Sequence, residues 1–178
     1  MKADLAQAIK RCSKPERVCM AVCYDEENSR SNIITLGWKM WTSLRPRMIA
    51  FSMVPTRHSH HLLMKEKQCV LAWPGEDMVK GVMLCGTASG RSVDKFKETG
   101  WTPLPARIVN TSLIEECVVN LECKLEHTLV TGDHTLFVAS VVEGHVTDDK
   151  RRVLFTIKDE AHFKHVGSQK GYNFGAFS

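Results

Sequence analysis

Apolar residues early in the chain fall at Leu5, Ala8, Ile9 and Cys12, the spacing of one helix face, which predicts a helix over residues 3–12 closed by Pro15. Past that proline the texture becomes strand-like. A short apolar run over 18–24 leads into a polar turn at 25–31, rich in Glu, Asn and Ser. Further strands follow at 32–38 and 48–54, joined by a loop containing Arg45-Pro46-Arg47. Leu62, Leu63 and Met64 place a helix over 59–67, and 69–73 is a buried-type strand stopped by Pro74-Gly75. A short helix is expected over 76–84, with Glu76 and Asp77 near its start, where the helix dipole favours acids. Residues 86–90 form a flexible turn, 93–97 are helical again, and 100–105, with two prolines, form a loop. Strands at 117–125, 135–146 and 153–157 complete the pattern, the two longest joined through residues 129–134.

Strands thus outnumber helices, and antiparallel strands with a few short helices over the ends predict a mainly β chain, a closed or nearly closed β-barrel. Alternating β-α-β units are absent, as are a G-x-G-x-x-G turn after a strand and a phosphate-binding G-x-x-x-x-G-K-[ST] loop, which disfavours a Rossmann domain and a P-loop. No linker or repeat divides the 178 residues, so one domain is expected, its core about residues 16–158, with an N-terminal helix and a C-terminal tail appended.

Composition narrows the class. A 43% hydrophobic and 25% charged chain can bury a core without metal or disulfide staples. Net charge is +4, which permits an anionic ligand, but there is no dense basic stripe of the kind that binds nucleic acid. Lys150-Arg151-Arg152 stands beside Asp148-Asp149 and reads as a solvated turn. No apolar run approaches the roughly 20 residues of a membrane span, and the first residues do not read as a secretory signal. Seven cysteines include no C-x-x-C pair, and Cys69, Cys85 and Cys117 sit in apolar surroundings. Reduced thiols acting as small core residues, and a cytoplasmic location, are expected; Cys19 and Cys23 could share a strand face.

Thr56-Arg57-His58-Ser59-His60-His61 is the densest polar cluster and lies between a strand and a helix start. Arginine's paired donors, a serine hydroxyl and the free N–H groups of a first helical turn suit a phosphate. Equally, Ser59 could simply cap the helix and Arg57 be a solvated charge. The three histidines lack the i, i+4 spacing and the acidic partner of a zinc site. In residues 85–96, Ser89, Arg91 and Lys95 supply donors beside two glycines, although Ser92 could cap a helix there with Asp94 favouring its dipole. Gly132-Asp133 makes a turn, and His134 enters a strand. A Ser52–His134–Asp133 triad lacks a G-x-S-x-G elbow, and adjacent His and Asp are expected to orient one another poorly, so a hydrolase is disfavoured.

In order along the chain, Asn32-Ile33-Ile34-Thr35-Leu36-Gly37-Trp38, Ile49-Ala50-Phe51-Ser52-Met53, Pro55-Thr56-Arg57-His58-Ser59, the segment from Ser89 to Phe96, and Gly132-Asp133-His134-Thr135-Leu136-Phe137-Val138 resemble the flavin reductase-like family, its flavoredoxin branch most closely. The resemblance covers about residues 18–146. It implies an FMN-binding split β-barrel, a homodimer with flavin sites near the subunit interface, and oxidoreductase chemistry. Electrons would pass from NAD(P)H or a redox protein through FMN to an acceptor. Releasing reduced flavin as product, or binding FMN without turnover, are the alternatives. Carried over by position, Asn32, Thr35 and Trp38 lie beside the flavin, Ser52 leads to the phosphate side, and Arg57, His58 and Ser59 form the turn. Ser89, Arg91 and Lys95 form a second ligand-facing segment, Lys95 adding positive charge near the phosphate or ring. His134 is a ligand hydrogen-bonder or proton relay, and Tyr172 matches a C-terminal aromatic. Lys39-Met40-Trp41 departs from the pattern as a bulky loop bordering the flavin.

Overall fold

The protein is described from a computed structural model, which covers residues 4–148, 150–157 and 163–177. The helix α1 (Leu5–Cys12) is capped by Asp4, whose carboxylate accepts the Gln7 N–H at 3.0 Å. The elements β1 (Glu16–Arg17), β2 (Cys19–Asp25), β3 (Arg30–Leu36), β4 (Lys39–Leu44) and β5 (Arg47–Met53) follow, then α2 (His58–Glu66) and β6 (Gln68–Trp73). After α3 (Val79–Thr87) and α4 (Lys95–Thr99) come the short pair β7 (Pro103–Pro105) and β8 (Ser112–Ile114), then the long hairpin β9 (Val119–Thr131) and β10 (His134–Val146). The chain closes with β11 (Phe155–Ile157), β12 (Phe163–Gln169) and β13 (Tyr172–Phe177).

Seven strands form one antiparallel sheet in the order β3-β2-β6-β9-β10-β5-β4. Its two edge strands, β3 and β4, are consecutive in sequence, and the corner at Gly37-Trp38 between them curls the sheet toward closure; Ser52 N–H donates to Trp38 O at 3.1 Å across that corner. Both faces of the central strands are buried, which is why β2 and β6 read as continuous apolar runs rather than alternating ones. On one face Cys19, Ala21, Cys23 and Leu71 pack with Phe51 and Phe137, whose rings stack at 5.5 Å. On the other, Met20, Val22, Ile33 and Val70 pack under α3, α4 and Phe174. A second sheet, β1-β11-β13-β12, draws together the two ends of the chain, pairing Glu16 with Thr156 and Phe155 with Gly175.

The mainly β fold is as expected, and Cys19 and Cys23 do share a buried face. All seven cysteines are free thiols, six of them buried and Cys12 exposed. Burial pushes Cys19, Cys23 and Cys85 up to about 12, with Lys39, Lys95 and Lys95 respectively pulling the other way.

Several local expectations need correction. Lys39-Met40-Trp41 is not a loop but the first half of β4, paired with Phe51, Ala50 and Ile49 of β5, so the turn shrinks to Arg45-Pro46. The helix expected from Glu76 starts at Val79, because both acids are drawn off to the basic run near residue 150: Arg152 holds Glu76 through two contacts of 3.3 and 3.1 Å, and Arg151 reaches Asp77 at 3.7 Å. That basic run is therefore no solvated turn, although its neighbour Asp149 lies outside the described residues. Asp94, rather than Ser92, caps α4 by accepting the Lys97 N–H. The 100–105 loop contains β7, and the residues expected as a C-terminal tail form β12 and β13, burying Phe174 and Ala176. Residue 3, the first of the expected N-terminal helix, lies outside the described residues.

Candidate functional site

Where the barrel corner meets the second sheet, a cleft of about 420 Å³ opens, within the size range of small-molecule sites. One wall comes from the barrel: Thr35, Gly37 and Trp38 at the end of β3, Ser52 and Val54 at the end of β5, Arg57, and His134 at the start of β10. The floor includes Val82, Met83 and Gly86 of α3. The other wall is Lys14, Glu16 and Thr156, with Tyr172 and Phe174 of β13. These ends converge because β2–β3 and β5–β10 run antiparallel in fixed register, Thr35 opposite Met20 and Leu136 opposite Ser52.

Six residues singled out in the sequence meet in this cleft: Thr35, Trp38, Ser52, Arg57, His134 and Tyr172. Thr35 donates its hydroxyl to Val82 O at 2.6 Å, tying β3 to α3. Trp38, 63% exposed, stands against the His134 ring at a centroid distance of 4.8 Å. His134 Nδ1 meets Asp133 Oδ1 at 2.6 Å. Sequence neighbours were expected to orient one another poorly, but Gly132, at a φ of 60°, turns the chain so that Asp133 reaches back to the ring. The hydrogen bond from His134, with its charge, holds the Asp133 carboxyl below the ordinary range.

Arg57 occupies the N-cap position of α2, where its exposed side chain makes no capping bond. The expectation that Ser59 caps this helix is overturned. Ser59 lies inside α2, buried, with its hydroxyl accepting Asn32 Nδ2–H at 2.7 Å. His58 meets the fully buried Asp25 at 2.7 Å. Burial alone would raise the Asp25 carboxyl, but hydrogen bonds from His58 and Asn28 hold it below its usual value. Asn32, His58, Ser59 and Lys95 thus form a buried polar layer beneath the turn rather than lining the cleft. Lys95 donates to Ile33 O and to Cys85 O; burial lowers its pKa, and Arg57 lowers it further by repulsion, which places the two cations within electrostatic reach. Ser89 and Arg91 are exposed in the 89–94 turn, which Arg30 pins to β3 through Gly90 O and Asp94.

Of the second wall the sequence singled out Tyr172 alone. Lys14, Glu16 and Thr156 carry no motif, and they meet only because β1 pairs with a strand some 140 residues later. A short polar stretch beside a proline gives no periodic signal from which that pairing could be read.

The donor set fits a flavin mononucleotide. A phosphate requires N–H donors and positive charge, and Arg57, at the N-cap of α2, brings a guanidinium to the cleft. Two buried polar atoms in the layer beneath, Asn32 Oδ1 and His58 Nδ1, have no protein partner. Among the described residues no group of three or more His, Cys, Asp or Glu is placed to hold a metal, and no helix is long and apolar enough to cross a membrane.

Residues 12–162 match the family described as the flavin reductase like domain. An uncharacterized protein of Pyrococcus abyssi is 35% identical over 112 residues, 63% of this chain and 64% of that relative, so the chain spans under two thirds of it. The flavoredoxin of Desulfovibrio vulgaris superposes with a TM-score of 0.77 at 22% identity, covering 88% of each chain. An FMN-binding protein from Thermus thermophilus with bound 1-cyclohex-2-enone superposes with a TM-score of 0.68 at 26% identity, over 74% of this chain and 71% of the other.

Proposed function

The chain belongs to the flavin reductase-like family, and from that premise we propose that it binds FMN in the cleft and works as a flavin-dependent oxidoreductase. Electrons would pass from NAD(P)H or a redox protein through the flavin to an acceptor. The observation that carries the reading is the convergence of Thr35, Trp38, Ser52, Arg57 and His134, from four separate stretches of chain, on one cleft. Bound FMN would supply the redox chemistry, and the protein its position and electrostatics. Arg57 and the α2 N-terminus bind the phosphate, with Lys95 behind them adding positive potential from the buried layer. Trp38 covers one side of the cleft. His134, with Nδ1 engaged by Asp133, keeps Nε2 for a ligand hydrogen bond or a proton.

The same reading makes the protein a homodimer. Met40, Trp41 and Leu44 on the edge strand β4, and Leu129 and Val130 at the tip of the β9–β10 hairpin, are large apolar side chains left exposed, and a second copy would cover them. The Thermus structure holds a small cyclic enone, which favours a compact, planar organic acceptor here as well.

A visible spectrum of the purified protein after gel filtration, followed by anaerobic NADH and then NADPH, tests the proposal. Flavin bands that bleach on either addition support it. Bound flavin that neither nucleotide reduces points to another donor or to binding without turnover, and flavin lost on the column but reduced when supplied in excess makes it a released substrate. Protein that stays colourless with added FMN overturns the reading.

A further inference from the structure

The wall of the cleft that carries no motif has its own chemistry. Lys14 Nζ donates to Glu16 Oε2 at 3.0 Å and to Thr156 Oγ1 at 2.7 Å. An ammonium has three N–H donors, so one remains. Glu16 Oε2 takes the lysine, and Oε1 has no partner among the described contacts. Both side chains are about three-quarters buried, at 26% and 22% exposure, and both line the cleft. The carboxylate lies against Gly37 so closely that a Cβ there would sit 3.2 Å from Oε2, which ties it to the barrel corner. Thr156 is itself anchored, its hydroxyl donating to Glu16 O at 3.3 Å.

A free donor and a free acceptor side by side, on a pair with no net charge, match a planar group that presents a carbonyl next to an N–H. An anion would gain from Lys14 and lose to Glu16; an amide edge gains from both. We propose that Lys14 and Glu16 form a subsite for such an amide edge, with Lys14 donating to its carbonyl and Glu16 accepting its N–H. The inference rests on the flavin reading above, which offers two sources of this chemistry: the imide edge of the flavin ring and the carboxamide of a nicotinamide donor.

Two analogues separate the sources. 3-Methyl-FMN lacks the ring N–H, and reduced deamido-NAD carries a carboxylate in place of the carboxamide. Dissociation constants for FMN and 3-methyl-FMN are measured by flavin fluorescence, and those of the two dinucleotides by competition, on the wild type, Glu16→Gln and Lys14→Met, each with a melting curve. Removing one charged hydrogen bond should weaken the parent ligand about tenfold. If the flavin edge is bound, the wild type prefers FMN to 3-methyl-FMN, and Glu16→Gln narrows that preference. If the carboxamide is bound, FMN affinity holds, and Glu16→Gln instead narrows the preference for NADH over its deamido analogue. Should FMN bind while neither preference depends on Glu16 or Lys14, and the variants only lower the melting temperature, the pair merely pins the N-terminus and the inference is wrong. A wild type that binds no FMN at all would instead overturn the functional reading on which it rests. Lys14→Arg, which keeps a cation able to meet Glu16, should restore most of the preference lost in Lys14→Met.

Discussion

The two walls of the cleft are built differently. The barrel wall comes from long strands with dense local pairing and from a turn leading into a helix. The second wall comes from a two-residue strand, a three-residue strand and a hairpin, the first strand held by a pairing across almost the whole chain. The first presents residues that the family resemblance singles out by type and order. On the second, Lys14, Glu16 and Thr156 become a group only after the fold has closed. Chemistry on long, regular elements can be read from sequence, whereas chemistry made by contacts between distant short strands must be seen.

Truncating the anchor of the second wall should have the largest effect. Phe174 is fully buried beneath α3, and Phe174→Ala should cost about 3–5 kcal/mol, measured as a shifted urea midpoint. A loss as large as that of Phe137→Ala in the barrel would mean that both sheets unfold as one unit. A separate early transition would mean that the second wall is a detachable layer.

On the barrel wall, Arg57→Ala should weaken FMN binding about 100-fold, a charge-assisted contact of some 2–3 kcal/mol, with little change in stability because the side chain is exposed. Unchanged affinity in a fluorescence titration would move the phosphate elsewhere.

Glu122 tests the barrel's scaffold at some distance from either wall. Fully buried, it accepts the N–H groups of Arg107, Ile108 and Val109 at 2.8, 2.7 and 3.0 Å and meets His145 at 2.7 Å. Burial alone would raise its carboxyl, but these partners hold it below the ordinary value of 4.5. Its contribution is therefore complete above about pH 4.5 and is lost as the pH falls below that, since the unfolded chain takes up the proton first. Glu122→Gln should cost about 1–3 kcal/mol near neutrality and flatten the acid limb of the stability–pH curve. An acid limb unchanged in the variant would assign it to other carboxylates.

The smallest effect belongs to Asp133→Ala. Its carboxylate is almost wholly exposed, so the melting curve should stay that of the wild type. Any fall in turnover would then report the orientation of His134 alone, and equal turnover would remove Asp133 from the chemistry.

The apolar runs at Cys19–Asp25 and Gln68–Trp73, and the helix at residues 58–66, were legible because periodicity and turn residues agree there. The start of α3 was misplaced because Glu76 and Asp77 resemble a favoured first turn, while their partners Arg152 and Arg151 lie some 75 residues away. Lys39-Met40-Trp41 was misread because its large apolar side chains face outward on an edge strand, which breaks the alternation that marks a half-buried one. Of the cleft residues, Arg57 stood out in its polar cluster, whereas His134 was singled out by the family resemblance. The buried position of Ser59 was not legible, since only Asn32 on another strand shows that its hydroxyl faces inward.

The distribution of thiols has a practical side. Six cysteines are shut inside the barrel and under its helices, and only Cys12 on α1 meets solvent. A thiol-reactive dye should therefore mark the native protein once, at its N-terminal helix, and the unfolded chain seven times. Counting labels by mass would follow the opening of the core molecule by molecule, and a fluorophore at Cys12 would report on the N-terminal helix without any engineered residue.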